Sequence, residues 1–182
     1  MSHRLTLYCI VLTLSLSALA GSPETGGNPG IYLFMSEIQA GSLQSQQYCA
    51  LVFDDHRFHY ERVSRRHGRD ISRKVYEGQL PEADWNTLVG FLNNKEFREL
   101  NVPRAVPPLV MQDSHVFTIA VARGQIFQNM EFLDSTSRKP YESQLKPLLQ
   151  WWKSFRGGRM TQSAATPDSR CLADNTHAIY GE

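Results

Sequence analysis

The strongest periodic signal in the sequence is an amphipathic helix near the C-terminal end. Apolar side chains recur there at offsets of 0, 4, 7, 8, 11 and 14 residues, which is the spacing of one helix face. They are Tyr141, Leu145, Leu148, Leu149, Trp152 and Phe155. Because one apolar face needs a second layer, this pattern predicts a helix that begins at Pro140 and packs against other structure. Pro147 is expected to kink or break it, because its ring clashes with the carbonyl of Ser143.

The segments before this helix alternate as β-strands do. Candidate strands cover residues 31–39, 46–53, 57–65, 71–79, 115–122 and 125–133. The second has apolar residues on both faces, which indicates a central strand. The third is expected to be half-buried, with Phe58 and Tyr60 inward and His59 and Glu61 outward. In the fourth, Val75 and Ile71 are expected to point inward.

A second helix is predicted between the fourth and fifth strands. Pro81 fits its first turn, and Glu82 and Asp84 favour the positive end of its dipole. Helically spaced apolar residues follow, namely Trp85, Leu88, Val89 and Leu92. The element order is therefore ββββ-α-ββ-α. We predict an α+β domain in which an antiparallel sheet of about six strands carries two helices on one face.

The first twenty residues have the pattern of a signal peptide. Arg4 precedes an uncharged apolar stretch of about 15 residues, and Ala18-Leu19-Ala20 supplies the small-x-small cleavage pattern. The stretch is shorter than the roughly 20 residues that span a bilayer. We therefore predict that residues 1–20 are cleaved, that no transmembrane segment remains, and that the mature protein is periplasmic or secreted. An uncleaved membrane anchor is the alternative.

Composition and cysteine content define the rest of the chain. Residues 21–30 are rich in glycine and proline and are expected to form a flexible leader. Residues 157–182 are polar and are expected to form a flexible tail, so the single domain covers 31–156. An oxidising compartment would allow Cys49 and Cys171 to form a disulfide bond. Alternatively, Cys49 is a small buried apolar residue and Cys171 is unpaired.

One stretch resembles a family of small exported bacterial domains of unknown function. It is YEGQLPEADW at residues 76–85, followed by Leu88, Leu92, Phe97 and Leu100. In that family a glycine-x-leucine strand end leads into an acidic-capped helix and a phenylalanine-x-x-leucine close. The resemblance covers about residues 46–156. It implies a fold and an exported location, and it transfers no catalytic residue.

The sequence offers little that indicates catalysis. It has no phosphate-binding loop, no serine elbow and no zinc cysteine pair, so no cofactor is expected. His56 and His59 would face opposite sides of a strand, which argues against a shared metal ion. Asp113-Ser114-His115 has the residue types of a hydrolase triad, but adjacent residues cannot converge as one. A hydrolase that uses His56, His59 or His115 is the alternative to a non-catalytic domain.

The most basic segment, residues 57–74, is the best candidate for binding. It has six arginines and one lysine against Glu61 and Asp70, a local net charge of +5. The candidate contacts to an anionic partner are Arg65, Arg66, Arg69, Arg73 and Lys74. An arginine fork fits a carboxylate or a phosphate. Alternatively, these charges protect an edge strand from sheet-to-sheet aggregation. Trp151, about 100° from the core face of the last helix, is a further interface candidate.

These patterns together predict an exported, non-catalytic domain that binds a protein or an anionic envelope component. Nucleic acid is not expected as a partner, because the whole chain carries a net charge of only +1 and no aromatic residue is interleaved in 61–74. A third hypothesis is a purely structural role in an envelope complex, with an apolar patch around Trp151 as the contact.

Overall fold

The computed structural model describes residues 30–41, 43–66, 69–103, 115–158 and 160. Within these ranges the chain forms one antiparallel sheet of six strands in the order β4-β3-β2-β1-β5-β6. The strands are β1 (Ile31–Ala40), β2 (Gln44–Phe53), β3 (Arg57–Arg66), β4 (Arg69–Gln79), β5 (His115–Arg123) and β6 (Ile126–Phe132). The helices are α1 (Glu82–Leu92), α2 (Lys95–Arg98), α3 (Ser135–Arg138) and α4 (Glu142–Gly157), with a 3-10 turn at Lys139–Tyr141 before α4.

The predicted α+β fold and the element order are confirmed. The two longer helices, α1 and α4, pack on the same face of the sheet, where they bury Leu88, Leu92, Leu145, Leu148 and Trp152. The sheet contributes alternate residues of each strand to this core, such as Leu33 and Met35 of β1. We call this face the helix side and the other the open side. The prediction of a central second strand is also correct, since β2 pairs with both β1 and β3.

The last helix differs from its prediction in two ways. It begins at Glu142 rather than Pro140, because Pro140 lies in the preceding 3-10 turn and Asp134 caps the separate short helix α3. It also runs through Pro147 without a break. The apolar series on both sides of Pro147 is held against the sheet, and this packing outweighs the lost backbone hydrogen bond.

The open side is more buried than the sequence indicates. His59 and Glu61, predicted to face outward from a half-buried strand, are each 1% exposed. Cys49 lies on this side and is also 1% exposed. Ile71, in contrast, was expected to point inward and is 60% exposed. Its neighbour on the same strand, Val75, is buried as predicted.

Several predictions concern segments outside the described residues. They include the signal peptide at 1–20, nearly all of the leader at 21–30 and most of the tail at 157–182. Cys171 also lies there, so its pairing with Cys49 stays a prediction. Among the helices that the structure describes, none is long and apolar enough to cross a membrane.

Candidate anion-binding surface on the basic hairpin

Strands β3 and β4 form the hairpin that carries the basic segment. They pair antiparallel from Arg57 opposite Gln79 to Arg66 opposite Arg69. Strand β4 is at the edge of the sheet. Because side chains alternate along each strand, the pairing divides the basic residues between the two faces of the hairpin.

Two of the predicted contacts, Arg65 and Arg73, lie on the open side. The Nη1 of Arg65 donates to Oε1 of Gln47 at 3.2 Å. Arg73 pairs with Val63, which is buried on the same side as Cys49. Both arginines already interact with other groups of the chain. We therefore do not count them among the cations that are free to meet a partner.

Arg57 pairs with Asp55 at the opposite end of the hairpin, and the other four basic residues form an exposed set, which we call the basic ridge. Arg62 and Lys74 lie opposite each other on the helix side, and Arg66 and Arg69 lie opposite each other at the end of the hairpin. All four are exposed. Within the described ranges, none of them makes a hydrogen bond or ion pair. The structure thus brings together three predicted residues with Arg62, which the sequence did not single out.

The acidic side chains Glu61 and Glu77 do not neutralise the ridge, because they bind His59 on the open side. The His59 Nε2 lies 2.8 Å from Oε1 of Glu61, and its Nδ1 lies 3.0 Å from Oε1 of Glu77. Burial opposes protonation of His59, but the two carboxylates outweigh it and raise its pKa above 6.5. The arrangement therefore favours an imidazolium that donates to both acids.

A stacked cation cluster adjoins the ridge on the helix side. The guanidinium of Arg62 lies 5.6 Å from the ring centre of Tyr48, and that of Arg156 lies 4.4 Å from the same ring. The Nη1 of Arg156 is 2.6 Å from Oε2 of Glu37. Arg156 is thus held by a buried carboxylate and an aromatic face, which fixes the orientation of its guanidinium.

Glu37 is the polar centre of this region. It is 5% exposed, and in addition to its ion pair with Arg156 it accepts hydrogen bonds from Trp152 Nε1 at 2.8 Å, His115 Nε2 at 2.8 Å and Gln39 Nε2 at 2.6 Å. Burial alone would raise the pKa of Glu37, but these bonds and the charge of Arg156 lower it below 4.5. A carboxylate with so many donors serves to position side chains and is poorly suited to accept a substrate proton.

The position of Glu37 in the sequence is itself a signal of burial that the strand pattern alone does not reveal. Glu37 shares the inward face of β1 with Leu33 and Met35. A charged residue in such a series requires buried partners, because an unpaired buried carboxylate is costly.

Trp151 lies on the same side of the sheet as the ridge. Its half-buried ring stacks on Phe155 at 5.0 Å, and Phe155 meets Tyr60 edge-on at 5.5 Å. Tyr60 in turn stacks at 5.6 Å on Tyr76, which is two residues from Lys74 on β4. A series of aromatic contacts, which passes through the buried Tyr60, therefore connects the predicted interface tryptophan to the basic ridge.

The three histidines of the hydrolase alternative do not converge. His56 stacks on Trp85 at 4.5 Å, at the turn between β2 and β3. His59 is enclosed between its two carboxylates, and His115 is paired with Glu37. Among the described residues no hydroxyl group hydrogen-bonds to a histidine, and no group of three metal-ligating side chains is present. Asp113 and Ser114 lie outside those residues.

No protein-family model matches this sequence, and no curated protein matches it significantly. The resemblance to small exported bacterial domains therefore stays an expectation, and the function has to be argued from the site.

Proposed function

We propose that this chain is an exported, non-catalytic domain that binds a protein or an anionic envelope component through the basic ridge. One observation carries the proposal: four exposed cations lie on one paired hairpin, while Glu61 and Glu77 face the other way and bind His59. Arginine-rich surfaces of this kind bind carboxylate and phosphate groups with a fixed geometry.

The arrangement of the ridge has a cost that a partner would offset. Arg62 lies opposite Lys74, and Arg66 lies opposite Arg69. Directly opposed like charges destabilise a strand pair by roughly 0.2–1 kcal/mol each. Protection of the β4 edge against aggregation needs charged residues but no opposed pairs. The pairing of cations across the hairpin therefore favours anion binding over edge protection.

The end of the ridge, at Arg66 and Arg69, is expected to contribute strongly to anion binding. The double variant Arg66→Glu/Arg69→Glu should bind immobilised heparin, used as a model polyanion, on the order of tenfold more weakly than the wild type. Both positions are exposed, so the free energy of unfolding should change by less than about 0.5 kcal/mol per substitution. The salt concentration at elution and the thermal midpoint provide the two measurements.

A matched variant separates the ridge from the total charge. Lys146→Glu/Lys153→Glu changes the net charge by the same amount, and both lysines lie exposed on α4. This control should elute close to the wild type. If the two double variants elute together, the ridge has no special role and the charged-edge explanation is preferred.

The hydrolase alternative retains one supporting observation, at His115. Its side chain is 37% exposed, and its Nε2 is 2.8 Å from the buried Glu37. A histidine oriented by a carboxylate is two thirds of a catalytic triad. The carboxylate also binds Trp152 and Arg156, however, which gives the pair a structural role, and no hydroxyl group of the described residues hydrogen-bonds to His115.

A further inference from the structure

The open side of the sheet is buried although no described helix lies on it. Phe34 and Leu51 are each 3% exposed, and Ala120 is 0% exposed. The partly buried apolar residues packed against them belong to the strands or their immediate ends, namely Ile31, Phe53 and Phe127. A sheet face cannot shield its own side chains from water, so another layer must cover it.

We propose that residues 161–182, the C-terminal segment, form this layer and are held there by a disulfide between Cys171 and Cys49. Cys49 lies in the middle of β2 on the open side, and it is disulfide-bonded. The chain has three cysteines, and the other two are Cys9 and Cys171. Cys9 belongs to the predicted signal peptide, so Cys171 is the partner expected in the mature protein.

The geometry of α4 allows this path. The helix ends at Gly157, and its last turn contacts β2 and β3, because Arg156 lies over Tyr48 and Phe155 meets Tyr60. The chain from Gly157 to Cys171 can span at most about 46–50 Å when extended. Passing two strands to the edge of the sheet requires about 10 Å, and crossing to the other layer requires a similar distance.

The composition of the segment matches the face that it would cover. It contains three large apolar residues, Leu172, Ile179 and Tyr180, and three acidic residues, Asp168, Asp174 and Glu182, against one arginine. Its net charge of −2 complements Arg65 and Arg73, which lie on the open side. Residues 104–114 have no cysteine that could pair with Cys49 and no net negative charge, so they offer neither the bond nor the charge complement.

This inference is independent of anion binding, because the basic ridge lies on the helix side and at the end of the hairpin. It makes the burial of the open side sensitive to reduction. In an oxidising compartment the bond would hold the segment in place, whereas reduction would allow it to detach and expose Phe34 and Leu51.

A peptide map of the exported wild-type protein tests the bond directly. Trypsin without reductant should release residues 171–182 linked to the peptide that ends at Arg57, and reduction should separate them. A Cys49 that titrates as a free thiol, that is linked to Cys9, or that is linked to Cys49 of a second copy would overturn the proposal.

Truncation after Met160 tests the covering role. The truncated protein should bind the dye anilinonaphthalene sulfonate several-fold more strongly than the wild type, because the open side would be exposed. Circular dichroism provides the control for folding. A folded truncated protein that binds no more dye than the wild type would show that another segment covers this face. If truncation prevents folding, dye binding by the reduced full-length Cys171→Ser variant is measured instead and is expected to rise in the same way.

Discussion

Replacing Glu37 with glutamine should lower the free energy of unfolding by about 2–4 kcal/mol. Glutamine keeps the shape of the side chain, but it removes the charge that pairs with Arg156 and replaces one acceptor oxygen with an NH2 group, a donor that would face another donor. The buried side chains of this cluster would then lose part of their hydrogen bonding. Urea unfolding at neutral pH measures the difference.

Two comparisons make this prediction specific. Glu99→Gln alters an acid that is 66% exposed and should change stability by less than about 0.5 kcal/mol. Trp152→Phe removes a single donor to Glu37, and it should cost less than Glu37→Gln if the whole cluster matters. Equal stability of Glu37→Gln and the wild type would show that the cluster contributes little.

The ionisation of Glu37 also predicts that the free energy of unfolding decreases at low pH. Its pKa in the folded protein lies below 4.5, so the stability that it contributes is present above that value. The contribution is lost as the pH falls through the lower pKa of the folded state. Glu37→Gln should therefore lose less stability than the wild type between pH 5 and pH 3.

Replacing His59 with alanine should lower the free energy of unfolding by about 3–5 kcal/mol at pH 6. The substitution removes the cation between Glu61 and Glu77 and leaves Glu61, which is 1% exposed, without that partner. Losing the ion pair to a buried carboxylate is costly, and this loss is the source of the expected destabilisation.

The sign of the pH dependence distinguishes this cluster from the Glu37 cluster. The pKa of His59 is higher in the folded state than the value of 6.5 expected after unfolding. Its contribution is therefore fully present below about pH 6.5 and is lost as the pH rises through the folded pKa. Wild-type stability should fall between pH 6.5 and pH 9, and the His59→Ala variant should show a smaller fall.

Glu77→Gln provides a milder test of the same cluster. The Glu77 side chain is 45% exposed, so the variant is expected to fold. It removes one of the two groups that raise the pKa of His59, so the fall in stability above pH 6.5 should be smaller and should end at a lower pH than in the wild type. A stability profile that is flat above pH 6.5 in both proteins would contradict a charged, buried His59.

The sequence predicted the fold correctly where the hydrophobic pattern involves residues close together in the chain. Alternation in residues 46–53 correctly placed β2 inside the sheet, and the helical spacing around Trp152 correctly identified the residue that packs in the core. Both patterns report burial of a face, which depends on neighbours a few residues away.

The two charged clusters could not be predicted because their partners are distant in sequence. Trp152 lies 115 residues from Glu37, and His115 lies 78 residues from it. Residue types alone do not show which of many polar side chains will meet. His59 could not be predicted for a different reason. It lies on the open side of the sheet, which is itself buried, and the alternation of residues along a strand does not show whether the second face is covered.

The binding role that we propose for the ridge depends on the positions of its charges more than on their number. The sequence indicated seven basic residues between 57 and 74, and the strand pairing divides them between the two sides and the end of the hairpin. Register is set by the pairing of β3 with both neighbours. The fold, and not the number of basic residues, therefore determines which of them are exposed to a partner.

Capture of a partner from the exported fraction of cells that express the protein tests the central claim most directly. The wild type and the Lys146→Glu/Lys153→Glu variant should retain the same anionic partner at 50 mM salt and release it as the salt is raised. The Arg66→Glu/Arg69→Glu variant should not retain it. A partner that the ridge variant binds equally well, or that stays bound at 500 mM salt, would contradict recognition by the basic ridge.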